Sequence, residues 1–360
     1  MIAPSQDERG GRERTMPSQK PLKIAIVGAT GAVGSVALKL LEARKHPADM
    51  VVALASARSD GKKLPYLNRE ITVHEGKSDM FVGVDVAFVS VSSAVSKLLQ
   101  PEITKRGALM IDDGSAFRMR ADVPLVVPEV NGADIEWHRG IISIPNCTTT
   151  PLVMILDALR KVSPVQRVTV ATYQAVSGTG AAAQAELTEQ SKDVLAGRPA
   201  KPAVYPHQIA FNVLPQVDDF EADGYTKEEH KMVNETRKIL HEPDLPLSAT
   251  CVRVPVQVSH SEAVHVEFER AVSSGEAREA LAGYKGMRVV DDPASRVYPM
   301  PHQAAGQDDV FVGRIRKDLS HPNGIALWFS CDNLRKGAAL NALQILDEAV
   351  RRGSLKPGGR

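Results

Sequence analysis

Cysteine, aromatic side chains and net charge are all scarce in this 360-residue chain. The three cysteines, Cys147, Cys251 and Cys331, are odd in number and far apart. That excludes a disulfide framework and a clustered metal site, and makes a reducing cytoplasm the natural compartment. Lys and Arg total 44 against 43 Asp and Glu, a net charge of +1. No basic footprint for nucleic acid or an anionic membrane follows from such a balance. No apolar run reaches the ~18–20 residues that span a bilayer. Residues 1–20 carry Asp7, Glu8 and Glu13 and no apolar segment, so they read as a disordered tail rather than a targeting signal. Met16 is an equally good start of translation. What remains is 43% hydrophobic and 24% charged, an ordinary globular composition long enough for two domains.

An apolar strand at 23–27 runs into Gly28-Ala29-Thr30-Gly31-Ala32-Val33-Gly34, followed by helical spacing of Val33, Val36, Ala37, Leu40 and Leu41. In such a turn the first glycine permits the tight bend, the second lets a pyrophosphate approach the backbone, and the third packs helix on sheet. Further strands at 51–55, 86–91, 109–112 and 141–144 alternate with helical stretches, which indicates a doubly wound parallel α/β sheet of Rossmann type. The end of the second strand selects the cofactor. Arg58 and Ser59, with Lys62 or Lys63 nearby, suit the 2′-phosphate of NADP(H), whereas Asp60 could serve the ribose hydroxyl of NAD.

Cys147 lies in Ile144-Pro145-Asn146-Cys147-Thr148-Thr149-Thr150-Pro151, just before a helix predicted to start with Thr150 as N-cap and Pro151 in its first turn. A thiolate ahead of a helix N-terminus is stabilised by the helix dipole and by free amides, which suits a nucleophile. A small buried cysteine at a strand–helix junction is the bland alternative. Beyond it come a strand at 167–173, a Gly-rich turn at 174–180, a surface helix at 181–195, an irregular stretch at 196–224 and a helix from Thr226 to about Leu240. Glu228 and Lys231 share a face of that last helix, usually the mark of a solvated ion pair. Strands are expected at 251–258, 263–268 and 325–331, placing His260 in a strand connection, and a final helix runs from Ala338 to about Arg351. A histidine there is a candidate general acid/base. We divide the chain into a tail (1–20), a cofactor-binding domain (21–146), an inserted α+β catalytic and dimerisation domain (147–335) and a C-terminal helix (336–360) that returns to the first domain.

Taken together, the motifs at 28–34, 113–118, 145–149, 174–178, 228–231, 253–261 and 332–341 resemble the aspartate-semialdehyde dehydrogenase family, over about 23–352. The resemblance implies NADPH-dependent reduction of L-aspartyl-4-phosphate to L-aspartate 4-semialdehyde, with release of phosphate. That step serves lysine, threonine, methionine and diaminopimelate biosynthesis. It implies Cys147 as nucleophile through a thioester, His260 as acid/base and Gln174 as the group that orients the intermediate. Arg253 is implied for the substrate carboxylate, Glu228 for its ammonium, and Arg118, Lys231 and Asn146 for phosphate. Cofactor contacts fall on Gly28, Thr30, Gly31, Ala32, Val33, Gly34, Arg58, Ser59, Ser177, Gly178 and Asn333. A homodimer or a tetramer of dimers is implied, and no metal. One departure stands out: Ser90–Lys97 is rich in serine where many relatives carry a glycine pair. N-acetyl-γ-glutamyl-phosphate reductase, the nearest alternative, sets its cysteine between Gly and Tyr, unlike Asn146-Cys147-Thr148. In glyceraldehyde-3-phosphate dehydrogenase the histidine follows the cysteine much sooner. A catalytically silent paralogue should have lost the cysteine, the histidine or the arginine clamp.

Overall fold

The computed structural model describes residues 21–355; the tail read at 1–20 lies outside the described residues. Two sheets organise the chain. The first contains β1 (Ile24–Val27), β2 (Val51–Ala55), β3 (Lys63–Tyr66), β4 (Arg69–Glu75), β5 (Val86–Val89), β6 (Leu109–Asp112) and β7 (Ile141–Ser143), in the order β3-β4-β2-β1-β5-β6-β7. Every pair is parallel except the β3–β4 hairpin. Strands β1, β5 and β6 are buried at every residue, as a parallel sheet covered on both faces requires. Ile24 and Ile26 point to a layer containing α1 (Ala32–Ala43), while Ala25 and Val27 face Phe81, Ile103 and Met110 on the side of α2 (Ser93–Thr104). Each such fully buried aliphatic side chain contributes about 1.5–3 kcal/mol relative to exposure.

The turn from β1 into α1 depends on two glycines. Gly28 has φ +91°, and a Cβ there would strike the carbonyl oxygen of Ser90. A Cβ on Gly34 would strike the carbonyl oxygen of Gly28, so only glycine lets α1 pack this closely.

After the short α3 (Pro128–Asn131) and α4 (Thr149–Arg160), the second sheet is built from β8 (Val165–Gln174), β9 (Leu247–Arg253), β10 (His260–Phe268), β11 (Met287–Val289), β12 (Val310–Lys317) and β13 (Gly324–Cys331). Its order is β11-β12-β13-β10-β8-β9, antiparallel from β12 to β8 and parallel at both ends. Helices α4, α6 (Lys227–Leu240) and α7 (Ser274–Ala282) close its inner face, where Leu152, Ile155, Val168, Val264 and Leu327 form one core. Helix α5 (Ala181–Leu195) and the short α8 (Pro301–Ala304) lie outside that layer, and α9 (Leu340–Arg351) packs Leu343 and Leu346 against Ile24 and Ile26 of the first sheet.

Several boundaries differ from expectation. Helix α4 begins at Thr149 with Thr148 as its cap residue, so Thr150 is not the N-cap. The reason is local: Asn146 accepts hydrogen bonds from the Thr148 and Thr150 amides and closes the turn two residues early. The strand expected at 251–258 is β9, which starts at Leu247 and stops at Arg253; β10 starts at His260 itself, so the histidine opens a strand and is not in a connection. A π-helical turn, Arg335–Ala339, precedes α9. The β3–β4 hairpin went unread because it is polar, edge-lying and interrupted by Pro65. Helix α6 starts as expected at Thr226, with a reciprocal capping box to Glu229.

Candidate active site

Strand register sets the floor of the site. Across the inner face of the second sheet, Arg253 lies opposite Gln174 and His260 lies opposite Cys331, forming one row. Beneath it runs a second row of Cys251, Thr172, Glu262 and Phe329. The period-2 alternation of strands thus aims Arg253, Gln174 and His260 the same way from three separate strands.

Over this floor lies a cavity of ≈ 350 Å³ lined by Cys147, Asn146, Gln174, Arg253, Glu228, Lys231 and Arg118, together with Val33, Ser177, Gly178 and Asn333. Substrate-type and cofactor-type candidates from seven stretches of chain therefore share one space. Apart from Val33, the turn at 28–34 stands outside it, as does the 3₁₀ turn Ala57–Ser59; the two turns are joined by Thr30 Oγ1 and Ser59 Oγ at 3.5 Å. His260 is buried and does not line the cavity; a Cβ on Gly178 would come within 3.2 Å of its Nε2 and 3.1 Å of Arg253 Nη1. A side chain at 178 would press on both groups and narrow the opening.

Hydrogen bonds fix the charged groups. Gln174 Nε2 donates to Glu228 Oε1 (3.0 Å) and Thr172 Oγ1 donates to Gln174 Oε1 (3.0 Å). Lys231 Nζ donates to Glu228 Oε2 (3.1 Å) and to Asp218 Oδ2 (2.8 Å), so the pair read as solvated is largely buried on its glutamate side. Arg253 Nη1 donates to the Ala175 carbonyl (2.8 Å). Asn146 Oδ1 accepts from the Thr148 amide (3.0 Å), Thr148 Oγ1 (2.9 Å) and Cys147 Sγ (3.5 Å), so this side chain shapes the cysteine turn. Asn333 Oδ1 accepts from Ser177 Oγ (2.9 Å) and the Ser259 amide (3.0 Å), tying the π turn to the floor.

Glu235 was missed at the level of sequence. Its Oε1 accepts from Arg118 Nη1 (3.0 Å) and its Oε2 accepts from the Asn146 amide (2.7 Å), and its side chain is 1% exposed. The available signal was helical spacing, since 228, 231 and 235 lie on one face of α6.

Burial pushes the Cys147 thiol up to about 12, helped by Glu228 and opposed by Arg118 and Arg253. Burial likewise drives His260 well below its ordinary value, with Arg253 acting in the same sense, so the ring is neutral. Its Nδ1 accepts from the Ala175 amide (2.9 Å), which places the proton of the neutral ring on Nε2. For Glu228, burial raises the carboxyl, but Lys231, Asn146 and Gln174 together hold it below the usual range. One outcome follows for the substrate-free protein. Iodoacetamide should alkylate Cys147 at a rate rising about tenfold per pH unit from pH 8 to 10, without levelling at the ordinary thiol value of ~8.5. A plateau below pH 8 would show a thiolate already present.

The β1–α1 turn fits a nucleotide. Its glycines hold the turn tight against the chain's own backbone, and it leads into α1, whose cap residue Gly31 offers no side-chain bond, leaving the helix end to a pyrophosphate.

Residues 23–138 match the family described as semialdehyde dehydrogenase, NAD binding domain, and residues 156–336 match semialdehyde dehydrogenase, dimerisation domain. Fold and site thus define an oxidoreductase of the semialdehyde dehydrogenase class. An aspartate-semialdehyde dehydrogenase of Bacillus subtilis is 48% identical over 91% of this chain and 96% of its own length. One from Legionella pneumophila is 47% identical over 93% and 97%. The chain belongs to the aspartate-semialdehyde dehydrogenase family. Among solved structures, aspartate semialdehyde dehydrogenase II of Vibrio cholerae complexed with ASA superimposes with a TM-score of 0.89 at 40% identity, covering 92% of this chain and 99% of that one. The Candida albicans enzyme with NADP gives 0.72 at 26% identity, with 92% and 99% coverage.

Proposed function

We propose that this protein reduces L-aspartyl-4-phosphate to L-aspartate 4-semialdehyde with NADPH, releasing phosphate, in the biosynthesis of aspartate-derived amino acids. The observation that carries the reading is one cavity holding Cys147 beside a carboxylate, Glu228, and three cations, Arg118, Lys231 and Arg253. A substrate with an ammonium, a carboxylate and a phosphate finds a partner of opposite charge for each. Arg253 meets the carboxylate, for which a guanidinium is the matching shape. Glu228 meets the ammonium, Arg118 and Lys231 meet the phosphate, and Asn146 holds the cysteine turn.

Neutralising Glu228 with the substrate ammonium removes a charge that raises the Cys147 thiol and leaves Arg118 and Arg253 to favour its thiolate. Cys147 then attacks the acyl carbon and phosphate departs, leaving a thioester on the sulfur. NADPH, when bound along Gly28–Gly34 and Asn333, supplies the hydride. Gln174, anchored by Thr172 and Glu228, orients the acyl group. His260 Nε2–H, buried without a protein partner among the described residues, lies beside the Gly178 opening and supplies the proton. Collapse to the aldehyde returns the electron pair to Cys147.

The choice of NADPH rests on Arg58, exposed at the end of β2; Asp60, the acidic alternative, has its Oδ1 engaged by the Glu75 amide (2.8 Å). Arg58→Ala should weaken NADPH binding by about tenfold or more and NADH hardly at all. Equal losses for both cofactors, by fluorescence titration, would remove Arg58 from the 2′-phosphate. We place the protein in the cytoplasm as a homodimer or tetramer of dimers, supported by the family of its second domain and by Tyr173, Tyr298 and Met300 exposed on or beside the second sheet. Among the described residues no helix is long and apolar enough to cross a membrane. The domain limits at 146 and 335 belong to the same reading. The test is phosphate-dependent reduction of NADP⁺ with L-aspartate semialdehyde, beside N-acetylglutamate semialdehyde and NAD⁺; turnover of the acetylated substrate alone would overturn it.

A further inference from the structure

The serine-rich segment after β5 is bonded to the loop that carries Arg118. Ser90 Oγ donates to Asp113 Oδ2 (2.9 Å), Ser96 Oγ donates to Asp112, and Ser93 Oγ pairs with Ser115 Oγ (3.1 Å). The clamp holds Asp113 on the wall of the cavity, beside Arg118, Asn146 and Cys147. A carboxylic acid is an unexpected group at the end of a cavity that receives phosphate.

Charge in this region is finely balanced. The cations are Arg118 from the loop after β6, Lys231 from α6 and Arg253 from β9. Facing them are Glu228 and Glu235 from α6, Asp218 from the segment before it, and Asp113 itself; the Cys147 thiol of the α4 turn is neutral. Three of these four carboxylates accept a hydrogen bond from a cation: Glu235 from Arg118, and Glu228 and Asp218 from Lys231. Asp113 is different. Arg118 Nη2 donates to its backbone carbonyl (2.7 Å), and its carboxyl receives only the Ser90 hydroxyl among the described residues. It is the carboxyl with least to hold it ionised, so the proton balance of the cavity is decided there. The neighbouring Asp112 is fully buried against Ser96 and does not line the cavity.

We propose that Asp113 is a specificity-determining residue of the anion end of the cavity, and that its ionisation sets the affinity for phosphate. The inference rests on the reading that phosphate binds between Arg118 and Lys231. With Asp113 protonated, cations and carboxylates there are equal in number and the carboxyl can donate a hydrogen bond to phosphate. Once it ionises, carboxylates exceed cations and a phosphate dianion is repelled. Burial raises the Asp113 carboxyl, opposed by Arg118 and Ser90. A raised acid is neutral below its shifted value and charged above it, so affinity falls as pH rises.

The experiment is calorimetric titration of the full chain with inorganic phosphate from about pH 4.5 to pH 9, for wild type, Asp113→Asn and Ser90→Ala. Phosphate's own ionisation affects wild type and Asp113→Asn alike, so the ratio of their dissociation constants reports Asp113 together with the Asp112 carboxyl that its charge raises. That ratio should approach one at the acid end of the range and reach about tenfold, wild type weaker, at pH 9. Ser90→Ala removes a donor to the carboxylate and should move the fall in affinity to higher pH. A ratio that does not change with pH, no phosphate binding by wild type, or an unshifted Ser90→Ala profile would each overturn the inference. Should Asp113→Asn fail to fold, the Ser90→Ala profile decides alone. The predicted pH dependence without turnover of aspartate semialdehyde would support this role for Asp113 while sinking the proposed reaction.

Discussion

Cys147→Ser is expected to lower turnover by on the order of 10³-fold or more while leaving NADPH binding unchanged, because a serine hydroxyl in this turn has no base to make it a nucleophile. Nothing about the fold should suffer. Sγ makes only a 3.5 Å contact with Asn146 Oδ1, and the Thr148 bonds that shape the turn are independent of it. Turnover and cofactor titration on the same preparation check both halves. Activity above roughly a tenth of wild type would remove Cys147 from the nucleophile role. Lost NADPH binding would mean that the substitution reaches the cofactor wall through Gly337, where a Cβ would stand 2.9 Å from Cys147 Cβ.

The second large effect is expected at Glu235, which touches no substrate. Glu235→Ala leaves the Arg118 guanidinium buried with its ion-pair partner gone and the Asn146 amide without an acceptor. Removing one partner of a buried ion pair costs about 3–5 kcal/mol. The thermal midpoint should fall by several degrees, and the apparent affinity for phosphate should drop because Arg118 and the cysteine turn lose a shared anchor. Glu235→Gln, which keeps an acceptor for the Asn146 amide, should recover part of the stability and less of the phosphate affinity. If both variants melt with wild type, the pair contributes nothing net. If Glu235→Ala is destabilised yet keeps full phosphate affinity, Arg118 does not depend on Glu235 for its position.

Much of the site was readable because it is written in short local patterns. Gly28–Gly34 follows a strand directly, Asn146-Cys147-Thr148 precedes a helix, and Glu228 and Lys231 are three apart on one. Other members carry no local mark. Glu235 is one acidic residue among many in a polar helix, and its meaning comes from Arg118, 117 positions away. The alternate aim of Arg253, Gln174 and His260 depends on strand register, which no single strand encodes. The serines at 90, 93 and 96 look like a lost glycine turn until their partners at 112, 113 and 115 are seen.

By itself the sequence determined the elements whose causes are near in the chain. The glycine turn is compelled by φ +91° at Gly28 and close helix packing at Gly34, α6 by its capping box, and the parallel sheet by unbroken apolar strands. Tertiary structure alone decided the charge states and the partners. Burial raises the Cys147 thiol against the expectation of a dipole-stabilised thiolate, and it keeps His260 neutral with its proton on Nε2. Ionisation depends on desolvation and on charges brought close by folding, and neither quantity exists until the two sheets have packed around one cavity.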